Sequence, residues 1–189
     1  PIFLNSINVK FWYFFSDSIQ IKINELEKLG TKLYDKIVSH SKLKREFLID
    51  AAVEEAITSA IYEGANTTRA KARQLINSGN RPANKDDWML LNNYEALNWI
   101  KEHRDEKVTL GIILKIHQIV TKNTLDASDA NYCGKFRDDT VYVNNALGKR
   151  LHEGISHQQI QEVMTEAIKV VTDNPRYIHP LIKGILLHY

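Results

Sequence analysis

Ser59 and Glu63 lie one helical turn apart in the stretch S59-A-I-Y-E-G64, which continues as A65-N-T-T-R69. Residues four apart share one face of a helix, so a hydroxyl and a carboxylate are expected side by side, with Gly64 ready to end the helix. Glu63 also sits at the edge of an apolar stripe, which places its carboxylate partly in the interior. A carboxylate in that position is costly twice over. The helix C-terminus carries partial negative charge, and burial disfavours the ionised form. A guanidinium would offset both, so the chemistry suggested is an electrostatic clamp, a fixed anion matched to an arginine. The competing reading is a solvated glutamate on a fraying last turn. Spacing alone leaves both open.

Other reactive side chains carry weaker signals. His152 and His157 stand five apart with Glu153 between them, without a tight zinc spacing or a cysteine cluster. Cys133 has no evident base partner and reads as a buried or incidental thiol. R69-A-K-A-R73 is a basic helical face without interleaved aromatics, which reads as solvated surface. No catalytic and no metal-binding residue is assigned on these patterns.

The elements that must position these residues are mostly helical. Ile19, Ile23, Leu26, Leu29, Leu33 and Ile37 recur every three or four residues, predicting a helix over 19–38 with Gly30 in its middle. A second helix is expected from Lys42 to Glu63, with a stripe of Ile49, Ala52, Val53, Ala56, Ile57, Ala60 and Ile61 whose small members permit close approach by a neighbour. Further helices are expected over 68–76, from Asp86 or Asp87 through Ile100, over 108–122, from a capping box at Ser156 and Gln159 to Thr172, and from His179-Pro180 onward. The run Asp173-Asn174-Pro175 should break the helix before the last one. Two segments depart from this period. Residues 7–15 read as a short strand or a segment packed on the helical body, and F136-R-D-D-T-V-Y-V143 reads as a small hairpin around the Asp138-Asp139 pair. The expected class is all-α with one inserted hairpin, arranged as 1–44, a strand-like segment and helix, and 45–189, the remaining helices with the hairpin at 134–145.

Composition narrows the function classes. The 189 residues are 43% hydrophobic, enough for a real core, and 25 Lys plus Arg against 23 Asp plus Glu leave a net charge of only +2. Nucleic acid is therefore not an expected partner. The apolar run F11-W-Y-F-F15 is interrupted by Asp17, Gln20 and Lys22 before a membrane span is complete, and no membrane association is expected. A single cysteine precludes an internal disulfide, which points to a reducing, cytoplasmic compartment.

The segment S59-A-I-Y-E-G64-A-N-T-T-R69 resembles the inhibitory-helix motif of Fic-domain proteins, a serine or threonine followed four residues later by glutamate and then glycine or asparagine. N92-N-Y94 and its helix, G134-K-F-R137 through V141-Y-V143, and H179-P-L-I-K-G-I-L-L-H188 agree with this match, which runs from about Ala51 to the end. The resemblance implies a Fic-like helical bundle in which Ser59, Glu63 and Gly64 form the inhibitory motif. In that family the glutamate pairs with an arginine of the catalytic motif and obstructs placement of the ATP γ-phosphate. It further implies that Gly134, Phe136, Arg137, Val141, Tyr142 and Val143 belong to a flap that positions the target protein. An exposed hairpin edge can pair with an extended peptide by main-chain hydrogen bonds, and Arg137 would either hold the hairpin base or meet an acidic target.

Fic enzymes most commonly transfer AMP from ATP to a Ser, Thr or Tyr hydroxyl of a protein, using the signature H-P-F-x-D/E-G-N-G-R-x-x-R. This sequence has no such run. In H179-P-L-I-K-G184-I185, Lys183 stands where a Mg²⁺-holding carboxylate belongs and Ile185 where asparagine belongs. The segment is read instead as the helix preceding the signature, with His179 structural or capping and His188 packed at the helix end. The expectation is a protein that continues beyond Tyr189, uses ATP and Mg²⁺ when whole, and is represented here by its regulatory and target-docking portion, with neither ligand expected on this portion alone. Its partners would be a target protein presenting a hydroxyl and, as a further option, copies of itself. Transfer of another phosphate-containing group and a non-catalytic Fic-like interaction module are the alternatives.

Overall fold

The computed structural model describes residues 2–38, 41–173 and 177–188. By chain contacts they form two compact units, Trp12–Glu102 and Pro1–Phe11 with His103–Tyr189. Among the described residues the architecture is all-α with two small antiparallel hairpins.

The first unit holds α1 (Asp17–Val38), α2 (Ser41–Tyr62), α3 (Arg69–Ser78) and α4 (Lys85–Glu102). Its core is the expected α2 stripe, narrowed: Val53, Ala56, Ile57 and Ala60 are buried, whereas Ile49 and Ile61 at the stripe's edges are exposed. Val53, Ile57 and Ala60 meet Ala65, Ala72 of α3 and Leu90 of α4 in one cluster. Burial of side chains such as Ile57 and Leu90 contributes about 1.5–3 kcal/mol each. Leu90 and Ala96 are the buried apolar side chains of α4 among the described residues. That helix also begins earlier than Asp86: the Asn84 side chain accepts from the Asp87 amide at 2.9 Å, and Asp87 accepts from the Ala83 amide at 3.0 Å. The first bond satisfies a donor that the first turn leaves open, and the second holds the chain entering the helix.

The end of α2 is closed by backbone bonds. The Ala65 amide donates to the Ala60 carbonyl at 2.9 Å and the Gly64 amide to the Ile61 carbonyl at 3.0 Å, with Gly64 at φ 92°. This pair of bonds is a Schellman motif. It makes Glu63 the C-cap residue and turns the chain so that buried Ala65 returns against the core. The Thr68 side chain then caps α3 through the Lys71 amide at 3.2 Å.

The second unit pairs β1 (Ile2–Leu4) with β2 (Val9–Phe11) around a 3₁₀ turn at Asn5–Ile7, and contains α5 (Leu110–Thr121), α6 (His157–Thr172) and α7 (Pro180–His188). Only residues 9–11 of the stretch 7–15 are strand, with Trp12 and Phe14 exposed. Leu4, Ile119, Ile160, Val163, Ile168, Val171 and Ile178 are buried in this unit. Ser156 precedes α6 without a side-chain cap bond; its carbonyl accepts from the Gln159 amide instead, so the expected capping box does not form. The second hairpin pairs β3 (Tyr142–Asn144) with β4 (Arg150–Glu153). The Asn174-Pro175 break, the His188 side chain and Tyr189 lie outside the described residues.

Because Gly64 occupies a left-handed conformation that a Cβ disfavours, Gly64→Ala is expected to lower unfolding free energy by about 1–2 kcal/mol. Urea unfolding of the two proteins measures this, and an unchanged midpoint would contradict the cap.

Candidate functional site

The Ser59–Gly64 segment and the second hairpin each form within one unit. In the first, Ser59 is half-buried on the last full turn of α2, and its carbonyl accepts from the Glu63 amide at 3.0 Å. Glu63 itself is exposed, so of the two readings left open by spacing the solvated carboxylate holds and the partly buried one does not. The Glu63 amide still closes the helical ladder, but the residue stands beyond Ala60, the last buried member of the stripe that α2 presents to the core. The last turn is nevertheless fixed, by the two Schellman bonds. Glu63 is thus a solvated anion on a rigid backbone, and among the described residues its carboxylate has no hydrogen-bond or ion-pair partner.

The arginines nearest in sequence are engaged elsewhere. Arg73 pairs with Glu54 at 2.8 Å and with Asp50 at 3.1 Å, and Arg69 pairs with Glu54. The bonds to Glu54 and then Asp50 raise the Arg73 pKa above its usual value. What reads in sequence as a plain basic face is therefore a bridge from α3 to α2. Arg150 stacks on the Tyr142 ring, 3.5 Å from its centroid, and pairs with Glu153 at 3.2 Å.

The hairpin is displaced from its expected place. Its strands are 142–144 and 150–153, and its turn is Asn145-Ala146-Leu147-Gly148, not Asp138-Asp139. The Gly148 amide donates to the Asn145 carbonyl at 2.9 Å, Gly148 takes φ 77°, and the Asn145 side chain accepts from the Leu147 and Lys149 amides at 3.0 and 2.9 Å. This is a type I turn closed by a left-handed glycine. The signal in the sequence was the N-x-x-G spacing. Asp138 instead accepts from the Tyr132 hydroxyl, which raises the tyrosine pKa, and the Asp139 carbonyl accepts from Arg137.

Among the proposed flap residues, Val141, Tyr142 and Val143 are exposed, while Gly134, Phe136 and Arg137 are half-buried and form the base. Arg137 donates to the Ile155 carbonyl just after β4, as well as to Asp139. It thereby ties both ends of the hairpin together. Gly154 allows this: a Cβ there would come within 2.8 Å of Val141 Cγ2 and 3.1 Å of the Arg137 guanidinium. At the other end, the Gly134 amide donates to His117 Nδ1 at 3.2 Å, and a Cβ on Gly134 would stand 2.8 Å from Gln118 Cβ. Sequence reading did not single out His117 or Gly154, since each acts through a partner distant in sequence. Phe136 and His117 line a pocket of about 360 Å³ with Ile113, Leu114 and Ile160.

Chemically, the hairpin offers open main-chain edges and exposed apolar side chains on a fixed base. Among the described residues no group of three or more His, Cys, Asp or Glu stands together to hold a metal ion, and no helix is long and apolar enough to cross a membrane. His179 caps α7, its Nδ1 accepting from the Leu181 amide at 3.2 Å.

No family model matches the chain, and no curated protein matches it. Among solved structures, the crystal structure of a Fic family protein from Desulfovibrio desulfuricans G20 superposes with a TM-score of 0.66 at 16% identity, over 94% of this chain and 51% of that one. The fold is Fic-like, and the chain spans about half the length of that protein.

The His117 contact has a pH consequence. Nδ1 must be unprotonated to accept from Gly134, and burial lowers the His117 pKa. A lowered histidine pKa stabilises the fold fully above the ordinary value of about 6.5 and progressively less as pH falls through the folded value. Exchange of the Gly134 amide, corrected for its intrinsic rate, is expected to quicken relative to its neighbours below about pH 6.5. A constant ratio down to about pH 5 would show that the bond does not hold the hairpin base.

Proposed function

We propose that this chain is the regulatory and target-docking portion of a Fic-type protein adenylyltransferase, which transfers AMP from ATP to a Ser, Thr or Tyr hydroxyl of a target protein and is held back by Glu63. The observation that carries this reading is an exposed glutamate fixed by a Schellman cap, in a chain with a Fic-like fold. A pre-positioned anion without a cation of its own loses little ordering entropy when it captures an arginine. Ser59 and Gly64 fix its place, one on the preceding turn and the other through the chain reversal.

The hairpin takes the docking role. Val141, Tyr142 and Val143 present an edge to which an extended segment adds as a strand, with recognition carried chiefly by main-chain bonds. Arg137 holds the base, and its guanidinium is committed to carbonyls of the hairpin itself. ATP and Mg²⁺, the transfer activity and the cytoplasmic setting are proposed for the whole protein and not for this portion alone.

A non-catalytic interaction module remains the second reading, favoured by one observation, the absence of the H-P-F-x-D/E-G-N-G-R signature. Labelling of target protein by the natural-length protein, with ATP carrying a marked α-phosphate, separates the two. Glu63→Gly is expected to raise the rate roughly tenfold or more, as releasing a charge-assisted pair of about 1.5–3 kcal/mol would do. A folded variant with unchanged or reduced transfer removes the inhibitory assignment, and no labelling by either protein leaves the module.

A further inference from the structure

We propose that α1 is a homodimerisation helix, through which two copies of this chain pair as a parallel two-stranded coiled coil. Among the described side chains of α1 all but Ile23, which is half-buried, are exposed: Ile19, Leu26 and Leu33 of the stripe that its sequence builds are 43%, 58% and 47% exposed, flanked by Leu29 at 63% and Tyr34 at 61%. Among the described residues most of the apolar stripe of this 22-residue helix stays open to solvent, and such a stripe can seat a partner helix.

The sequence says which partner. Residues 19, 23, 26, 30, 33 and 37 follow the alternating four-three spacing of a coiled-coil seam over three heptads. In that register Ile23, Gly30 and Ile37 take the a positions and Ile19, Leu26 and Leu33 the d positions. β-Branched residues at a with leucine at d favour two parallel strands. Gly30 leaves open space at its Cβ, so the central layer lets the backbones approach, with Leu29 and Tyr34 beside it.

Charge fixes the direction. The flanking g position Lys22 faces the e position Glu27 of a parallel second copy, and Leu29 faces Tyr34. An antiparallel pairing would instead set Glu27 against Glu27 and Lys22 against Lys36. The pair that Lys22 makes within α1, with Glu25 at 2.8 Å, is solvent-exposed, with 76% and 54% of the two side chains accessible, and so is cheaply exchanged. The occupant proposed is a second copy of this chain, and the assignment does not depend on the transfer activity.

Sedimentation equilibrium on the chain as it stands tests the proposal. The wild type is expected to dimerise reversibly, and Leu26→Glu and Leu33→Glu each to leave a monomer of unchanged helicity. Lys22→Glu should weaken the dimer several-fold, up to roughly tenfold, by turning two attractive cross-pairs repulsive. Adding Glu27→Lys should restore it. A wild type that stays monomeric up to a few hundred micromolar would overturn the proposal, as would a dimer indifferent to both leucine variants. Tighter association by Lys22→Glu alone would overturn the parallel arrangement. Should either leucine variant fail to fold, the exposed charge pair carries the test by itself.

Discussion

The reversal of the chain at Gly64 is the constraint on which the first unit depends. Helix α2 buries a stripe built largely from alanine and β-branched residues, and such a stripe gains its packing only if the following segment comes straight back onto it. Two hydrogen bonds accomplish this, to the carbonyls of Ala60 and Ile61. One geometric event thus seats Ala65 in the core, aims the chain at α3, and leaves Glu63 facing outward on a backbone with few alternatives. The acidic character of that residue at a helix C-terminus is tolerable because it is exposed, where solvent screens the unfavourable dipole.

The second unit solves a different problem, that of holding a two-stranded hairpin in place. An isolated two-stranded hairpin has marginal stability in water. Here it is tethered at both feet: Arg137 spans from one foot to the other through the Asp139 and Ile155 carbonyls, and the 132–134 segment is bound to α5 through His117 and the carbonyl of Gln118, which lies 3.4 Å from Cys133 Sγ. Small residues at 134 and 154 make the close contacts feasible. Cys133 belongs to this anchorage through its thiol.

The helices were largely legible in the sequence because their apolar periods and caps are local signals. The α2 stripe and Gly64 gave its course and its end, and Thr68 marked the start of the next helix. Legibility failed where two local signals competed. Asp138-Asp139 resembled a turn, but those groups are occupied by Tyr132 and Arg137, and the quieter Asn145 to Gly148 spacing makes the reversal. For Glu63 two readings stood open and the solvated one holds: angular position suggested partial burial, but the buried stripe of α2 ends at Ala60, three residues before it. The α3 basic face is solvated as read, but its ion pairs went unseen because the carboxylate partners, Asp50 and Glu54, come from the preceding helix and are invisible to spacing within α3. The resemblance carried by Ser59, Glu63 and Gly64 led to the Fic-like fold, although the superposed protein shares only 16% identity with this chain.

The brevity of β3 sets how long anything could stay on the hairpin. With three residues in the strand and a register irregularity between Val143 and Asn144, only about one or two residues on its free side present N–H and C=O outward. A segment added there gains few bonds and leaves readily, so occupancy would be brief and renewed by fresh encounters. The same shortness, reinforced by the local twist of the irregularity, makes the edge a poor template for indefinite strand addition. Rapid exchange and resistance to fibre growth thus arise from one feature of the chain.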